Sequence, residues 1–167
     1  AHQSMPAGFG LPPGAWRTDR SEAPAGALTQ LGIHLLDGMI HLAGPVRSVF
    51  AMSDRRAMRA DVDDFTVLLV RLGSGVTGYL GTSNVTGDLR RFHVSGTKGW
   101  VEMRGDTTVV SVGLEGAPKT TTLPDLDKER AVLELFAETV ARKTPVTIDA
   151  VEVVNGIAAL EAIVESA

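Results

Sequence analysis

The densest chemical signal in the chain lies in residues 26–43, Gly-Ala-Leu-Thr-Gln-Leu-Gly-Ile-His-Leu-Leu-Asp-Gly-Met-Ile-His-Leu-Ala. Gln30, His34, Asp37 and His41 are spaced i, i+4, i+7 and i+11, which keeps them on one stripe of an α-helix. Almost everything else in the segment is Leu, Ile, Met, Ala or Gly, with no Lys or Glu. Such a helix is expected to be buried on most sides, its polar stripe lining a cleft or finding buried partners. Three chemistries fit these residue types. His34 can act as a general acid/base, since an imidazole titrates near working pH. His34, Asp37 and His41 can be read as a nitrogen–oxygen metal triad, although His34 and His41 stand two turns apart, too far for one ion to span easily. Alternatively, both histidines are satisfied core residues and Asp37 fixes one imidazole tautomer.

The elements that must position this stripe can be read from turn signals and periodicity. The helix stops at Gly44-Pro45. Strands are predicted over roughly 46–53, 63–72, 76–85, 91–95, 99–104, 107–112 and 119–123, with turns too short for helical crossovers. Two helices close the chain. The first runs from about Asp127 to Arg142 with Val132, Leu133, Leu135, Phe136 and Val140 on one broad face. The second starts at Asp149 in a capping-box pattern with Glu152, and Val153, Ile157, Leu160 and Val164 mark its predicted buried stripe. The fold class is α+β, an open, mostly antiparallel sheet with helices on one face. Residues 1–25, rich in Gly, Pro and Ala, read as an irregular loop. The run Ser53–Asp61 reads as a solvated hairpin loop.

Several features narrow the function. The chain has 167 residues, enough for one domain, and no cysteine, so thiolate metal sites, disulfides and cysteine nucleophiles are excluded. A formal net charge of −4 and 5% aromatic residues argue against nucleic-acid partners. No apolar run approaches the roughly 20 residues that span a bilayer, and no signal peptide is visible, so a cytoplasmic protein without a membrane partner is expected. Gly73-Ser74-Gly75-Val76-Thr77-Gly78 matches G-x-G-x-x-G, but strand-forming residues follow it where a phosphate-binding helix would have to open, so a hairpin turn is predicted. Asn84-Val85-Thr86 fits a glycosylation sequon, which without a secretory signal carries no weight. His93, between Phe92 and Val94, reads as a structural histidine, and Asn84 and Asp88 are weaker pocket candidates.

The order of motifs then adds a resemblance. Gly26 through Asp37 resembles the glycine-rich Asp-x-Gly-x-His-x-x-Asp motif of the Gfo/Idh/MocA oxidoreductases, the glucose–fructose oxidoreductase and inositol dehydrogenase family. Trp16-Arg17 precedes it at the family's usual distance, and Gly44-Pro45-Val46-Arg47-Ser48-Val49 follows it like the family's entry to the sheet. Val94-Ser95-Gly96-Thr97-Lys98-Gly99, the Phe136 helix, Thr144-Pro145 and the Ala162–Ser166 end also fit. The likeness covers nearly the whole chain, but only the family's C-terminal domain.

This resemblance implies that residues 1–167 are a C-terminal substrate-binding and oligomerisation domain, whose N-terminal Rossmann domain, holding NAD or NADP, is absent from the chain. It implies a sugar, polyol or related hydroxy compound as substrate, and self-association through the open sheet face. His34 falls on the family's catalytic histidine, which exchanges a proton with the substrate hydroxyl. Gln30 stands where many members carry aspartate, and an amide orients a group without shuttling a proton. Asp37 is expected to orient the helix or the imidazole. Trp16 and Arg17 either clamp an oxygen-rich substrate or serve as a loop anchor and an ion-pair partner. No residue of this chain is assigned to the cofactor or to a metal, and the fragment alone is expected to be inactive. The rival reading is a non-catalytic module that binds a small molecule or dimerises.

Overall fold

The computed structural model describes residues 1–143, 145 and 148–167. Eight strands form one sheet: β1 (His2–Ser4), β2 (Val46–Asp54), β3 (Phe65–Leu72), β4 (Thr77–Ser83), β5 (Leu89–Gly96), β6 (Gly99–Arg104), β7 (Thr108–Gly113) and β8 (Lys119–Thr122). Their spatial order is β2-β3-β4-β1-β5-β6-β7-β8. β2–β4 and β5–β8 form two antiparallel meanders, joined by short turns except for the loop of residues 55–64 between β2 and β3. The three residues of β1 are the seam between them, parallel to β4 through His2↔Gly81 and antiparallel to β5 through His2↔Arg91. The predicted α+β class and open antiparallel sheet are found. The seam strand was not predicted, because it falls within the stretch read as a loop.

The helices are α1 (Ile33–Ala43), α2 (Lys128–Arg142) and α3 (Ala150–Ser166). A π-helical turn, Leu28–Gly32, leads directly into α1. Gly44, at φ 82°, ends α1 in a conformation open to glycine, and its N–H caps the Ile40 carbonyl. Leu28, Leu35, Leu36, Met39 and Ile40 pack from this helix onto Ala51, Leu68, Val70, Leu72 and Leu80 of the sheet. β3 alternates strictly, with Thr66, Leu68, Val70 and Leu72 buried and the residues between them exposed. Each fully buried leucine here contributes roughly 1.5–3 kcal/mol.

α3 packs against α1 and β2 only partly on the predicted stripe. Leu160 packs on the core as expected, but Val153, Ile157 and Val164 are exposed, and Gly156, Ala159 and Ile163 are buried in their place. Asp149 caps α3 by accepting a bond from the Val151 N–H at 2.8 Å, whereas Glu152 turns away from a capping box to meet His41 at 3.1 Å. α2 is capped by Asp127, which accepts from the Arg130 N–H at 2.9 Å. It is tied to the sheet through Asp106, which binds Lys128 at 2.5 Å and Arg90 at 2.6 Å. Its apolar stripe of Val132, Leu133, Phe136 and Val140 is uncovered. Thr144 lies outside the described residues. No described helix is long and apolar enough to cross a membrane.

The charged loop between β2 and β3 is not simply solvated. It wraps around the fully buried Asp64, whose carboxylate accepts the N–H groups of Arg56, Ala57 and Met58 at 3.0, 2.6 and 2.7 Å. Burial pushes the Asp64 carboxyl upward, but these three backbone donors outweigh it and hold the pKa below its usual value. A lowered folded-state pKa contributes stability that is complete above the unfolded value and is lost as pH falls through the folded one. Asp64→Asn should therefore cost about 1–3 kcal/mol at neutral pH. The gap between the two proteins should narrow on acidification from about pH 4 downward. Urea unfolding across pH checks this, and a gap independent of pH would reject the ionised anchor.

Candidate functional site

The Asp64 knot continues into the site. The peptide oxygen of Asp63 accepts the Ala27 N–H at 2.9 Å, at the start of the site helix. The Asp63 carboxylate takes both Arg20 donors, at 3.1 and 3.0 Å, and so holds the N-terminal loop. Gly26, at φ 49°, lies against the Asp63 backbone where a Cβ would collide with it. The peptide oxygen of Asp64 accepts the Asn84 N–H at 3.2 Å, which fixes the end of β4.

Gln30 sits at the meeting point of these segments. Its Nε2 donates to the Arg17 carbonyl at 3.2 Å, and its Oε1 accepts from Asn84 Nδ2 at 3.4 Å. Both ends of the amide are thereby committed, although one N–H and one lone pair remain free in principle. Asn84 is fully buried, so the sequon is closed to modification. Its own carbonyl accepts the Gly8 N–H at 2.6 Å, drawing in the proline-rich loop. On the turn held by Gln30, the Arg17 guanidinium lies 4.4 Å over the Trp16 ring, in cation–π contact. Trp16 is 47% exposed, so this pair presents a stacked cation and indole to solvent.

His34 follows Gln30 by one turn. It is exposed and makes no hydrogen bond among the described residues. Of the two expectations for this stripe, buried partners fail, since His34, Asp37 and His41 all reach the surface. The leucines of the same helix fill the core on the opposite side, which is why the segment carries so little charge. The core-histidine alternative therefore fails for His34. His41 is committed to Glu152 of α3 at 3.1 Å. Asp37 makes no hydrogen bond among the described residues. The described residues contain no group of three His, Asp or Glu side chains placed to hold a metal ion.

The remaining candidates separate from this cluster. Phe92 packs beneath Gly38 of α1, so His93 points to the opposite face of the sheet. There it stacks on Trp100 with centroids 5.2 Å apart and bonds Ser95 Oγ at 2.8 Å. Asp88 is exposed beyond β4. Residues 73–76 form the turn between β3 and β4, with the Gly75 N–H bonded to the Leu72 carbonyl at 2.9 Å. A strand follows, and no helix opens there for a pyrophosphate. Sequence reading missed Asp63 and Asp64 as organisers of the site. The only visible sign of them was an acidic pair at the entry to a strand.

A sequence search finds no match among curated proteins. Solved structures do match. An oxidoreductase of Desulfitobacterium hafniense, assigned as NADPH-dependent, superposes with a TM-score of 0.86 at 25% identity, covering 99% of this chain and 52% of that one. The aldose–aldose oxidoreductase of Caulobacter crescentus, solved with glycerol, gives 0.82 at 22% identity, covering 99% and 51%. A levoglucosan dehydrogenase bound to NADH and L-sorbose gives 0.81 at 19% identity, covering 99% and 54%. The chain thus spans about half the length of these proteins. Residues 1–102, which include β1, the site helix and the strands through most of β6, match the profile of the GFO/IDH/MocA C-terminal domain, and the chain belongs to that family.

Proposed function

We propose that these residues are the C-terminal substrate-binding and oligomerisation domain of a cytoplasmic NAD(P)-dependent oxidoreductase that acts on a CH–OH group of a sugar, polyol or related hydroxy compound. The observation that carries this reading is the uncommitted imidazole of His34. It stands one turn from a Gln30 locked between Arg17 and Asn84, beside an exposed Trp16–Arg17 pair. The aldose–aldose oxidoreductase and the levoglucosan dehydrogenase among the similar structures support the same substrate class.

In this reading the substrate carbinol faces His34, whose free ring nitrogen accepts the hydroxyl proton on oxidation and returns it on reduction. Asp37 lies one turn further along and is assigned to orienting the helix or the imidazole. Trp16 covers the substrate and Arg17 supplies a fork of donors to its oxygens. Gln30 positions these groups, and its charge-neutral amide leaves the proton on His34. The described residues form no cradle for a dinucleotide, so hydride acceptance is assigned to a Rossmann domain outside these 167 residues. The uncovered stripe of α2 is a surface such a domain would bury.

His34→Ala in the two-domain enzyme should lower kcat by roughly 10²-fold or more without changing the melting temperature. Steady-state kinetics on the purified variant decide this, and an unchanged kcat would remove His34 from the reaction. Self-association is assigned to the face of β2–β4 opposite the helices, where Phe50, Met52, Leu69 and Tyr79 are each more than half exposed. Leu69→Glu should convert the oligomer to monomer in sedimentation velocity. An unaltered oligomer would show that this face is not the interface.

A further inference from the structure

A cleft of about 590 Å3 opens between the proline-rich loop and the loop wrapped around Asp64, with Phe9, Leu11, Pro13, Thr18, Met58 and Arg59 among its walls. We infer that this cleft is the subsite for a negatively charged substituent of the substrate, a phosphate ester or a carboxylate, recognised by the Arg59 guanidinium. The inference rests on the proposed function only for its choice of sugars.

The charge pattern of the loop supports it. Of the three arginines in residues 55–59, Arg55 is paired with Asp61 at 3.0 Å and Arg56 with Asp54. Asp63 is occupied by Arg20, and the Asp64 carboxylate is consumed by backbone donors. The nearby carboxylates are therefore spoken for, while Arg59 has no acidic partner among the described residues. It stands at the cleft as a cation whose five donors form a fork suited to two oxygens of one anion.

The other walls are largely apolar. Phe9, Leu11, Pro13 and Met58 line the cleft, and Phe9 is 64% exposed, so a carbon frame can pack there while Arg59 meets its charge. The volume lies within the range of small-ligand sites.

The cleft is also pre-formed. One wall is shaped by the bonds from Ala57 and Met58 to Asp64, the other by the Gly8 bond to the Asn84 carbonyl. Gly8 has no room for a Cβ, which would approach the Asn84 oxygen to 2.8 Å. Gly8 of the cleft is bonded to Asn84, Asn84 bonds Gln30, and Thr18 adjoins Arg17, so the cleft adjoins the hydrogen-bonded chain that ends one turn before His34 in sequence. A rigid site avoids the ordering cost that weakens binding.

Calorimetric titration of the two-domain enzyme with glucose 6-phosphate, glucuronate and glucose tests the assignment. At least one anionic sugar should bind about ten- to a hundredfold more tightly than glucose, the usual worth of a charge-assisted hydrogen-bond pair. Which anion gains identifies the substituent as phosphate or carboxylate. Arg59→Gln should abolish the preference, whereas Arg47→Gln, on the exposed start of β2, should leave it intact. Equal affinity for all three sugars, an undiminished preference in Arg59→Gln, or no binding of either anion up to about 10 mM would overturn the inference. Binding here needs neither hydride transfer nor His34, so this result and the His34→Ala result fail independently.

Discussion

Two consecutive aspartates, Asp63 and Asp64, tie the loop that precedes them to the Arg20–Ala27 stretch and to the end of β4. The Asp64 carboxylate gathers the loop after β2, and its peptide oxygen holds the end of β4. The Asp63 peptide oxygen holds the first turn of the site helix, and its carboxylate holds the N-terminal loop through Arg20. A buried carboxylate is costly unless its lone pairs are filled, and here backbone donors fill them. The consequence is directional. Each N–H that satisfies Asp64 also fixes a loop residue, so the electrostatic requirement of one side chain dictates the path of the loop.

From this knot the site is assembled by amides rather than by charges. Asn84 passes the position of β4 to Gln30, and Gln30 passes it to the Trp16–Arg17 turn. Neutral hydrogen bonds suit the task because they place groups without shifting the charge state of a neighbouring imidazole. His34 is left outside the network. A histidine bound to a carboxylate, as His41 is to Glu152, is committed to one partner, whereas His34 keeps both ring nitrogens available.

Much of this was legible in the residues. The site helix could be bounded because Gly44-Pro45 stops it, and the meander strands because glycine turns separate residues of high β-propensity. The stripe spacing placed Gln30, His34, Asp37 and His41 on one side of the helix, and the resemblance singled out His34. The orientation of that stripe was misjudged, since a helix poor in charge can still lie half in solvent when its leucines alone fill the core. β1 was not legible because His-Gln-Ser has neither alternation nor β-branched residues, and only its two neighbours make it a strand. The α3 face was read only in part: Leu160 packs on the core, but Ala159 and Ile163, not Val153, Ile157 and Val164, take the rest of the buried side, because periodicity weighs the large residues and cannot tell which side the sheet covers. No local pattern could mark Asp64 as buried, because its donors come from the path of a loop.

Two of the uncovered apolar surfaces differ in shape, and the difference separates their roles. The open face of β2–β4 is a broad, nearly continuous patch of Phe50, Met52, Val67, Leu69 and Tyr79, suited to a second flat face related by a twofold axis. The α2 surface is a narrow ridge of Val132, Leu133, Phe136 and Val140, which needs a groove and cannot pair flatly with itself over a large area. α2 is fastened to the sheet at its first turn, by Lys128 on Asp106, and is not among the elements that pack closely on the sheet or on α1. A helix with an amphipathic stripe and so little packing of its own derives its stability from whatever covers it. The proposed second domain and the proposed sister subunit would thus occupy different surfaces, so that burying one leaves the other available.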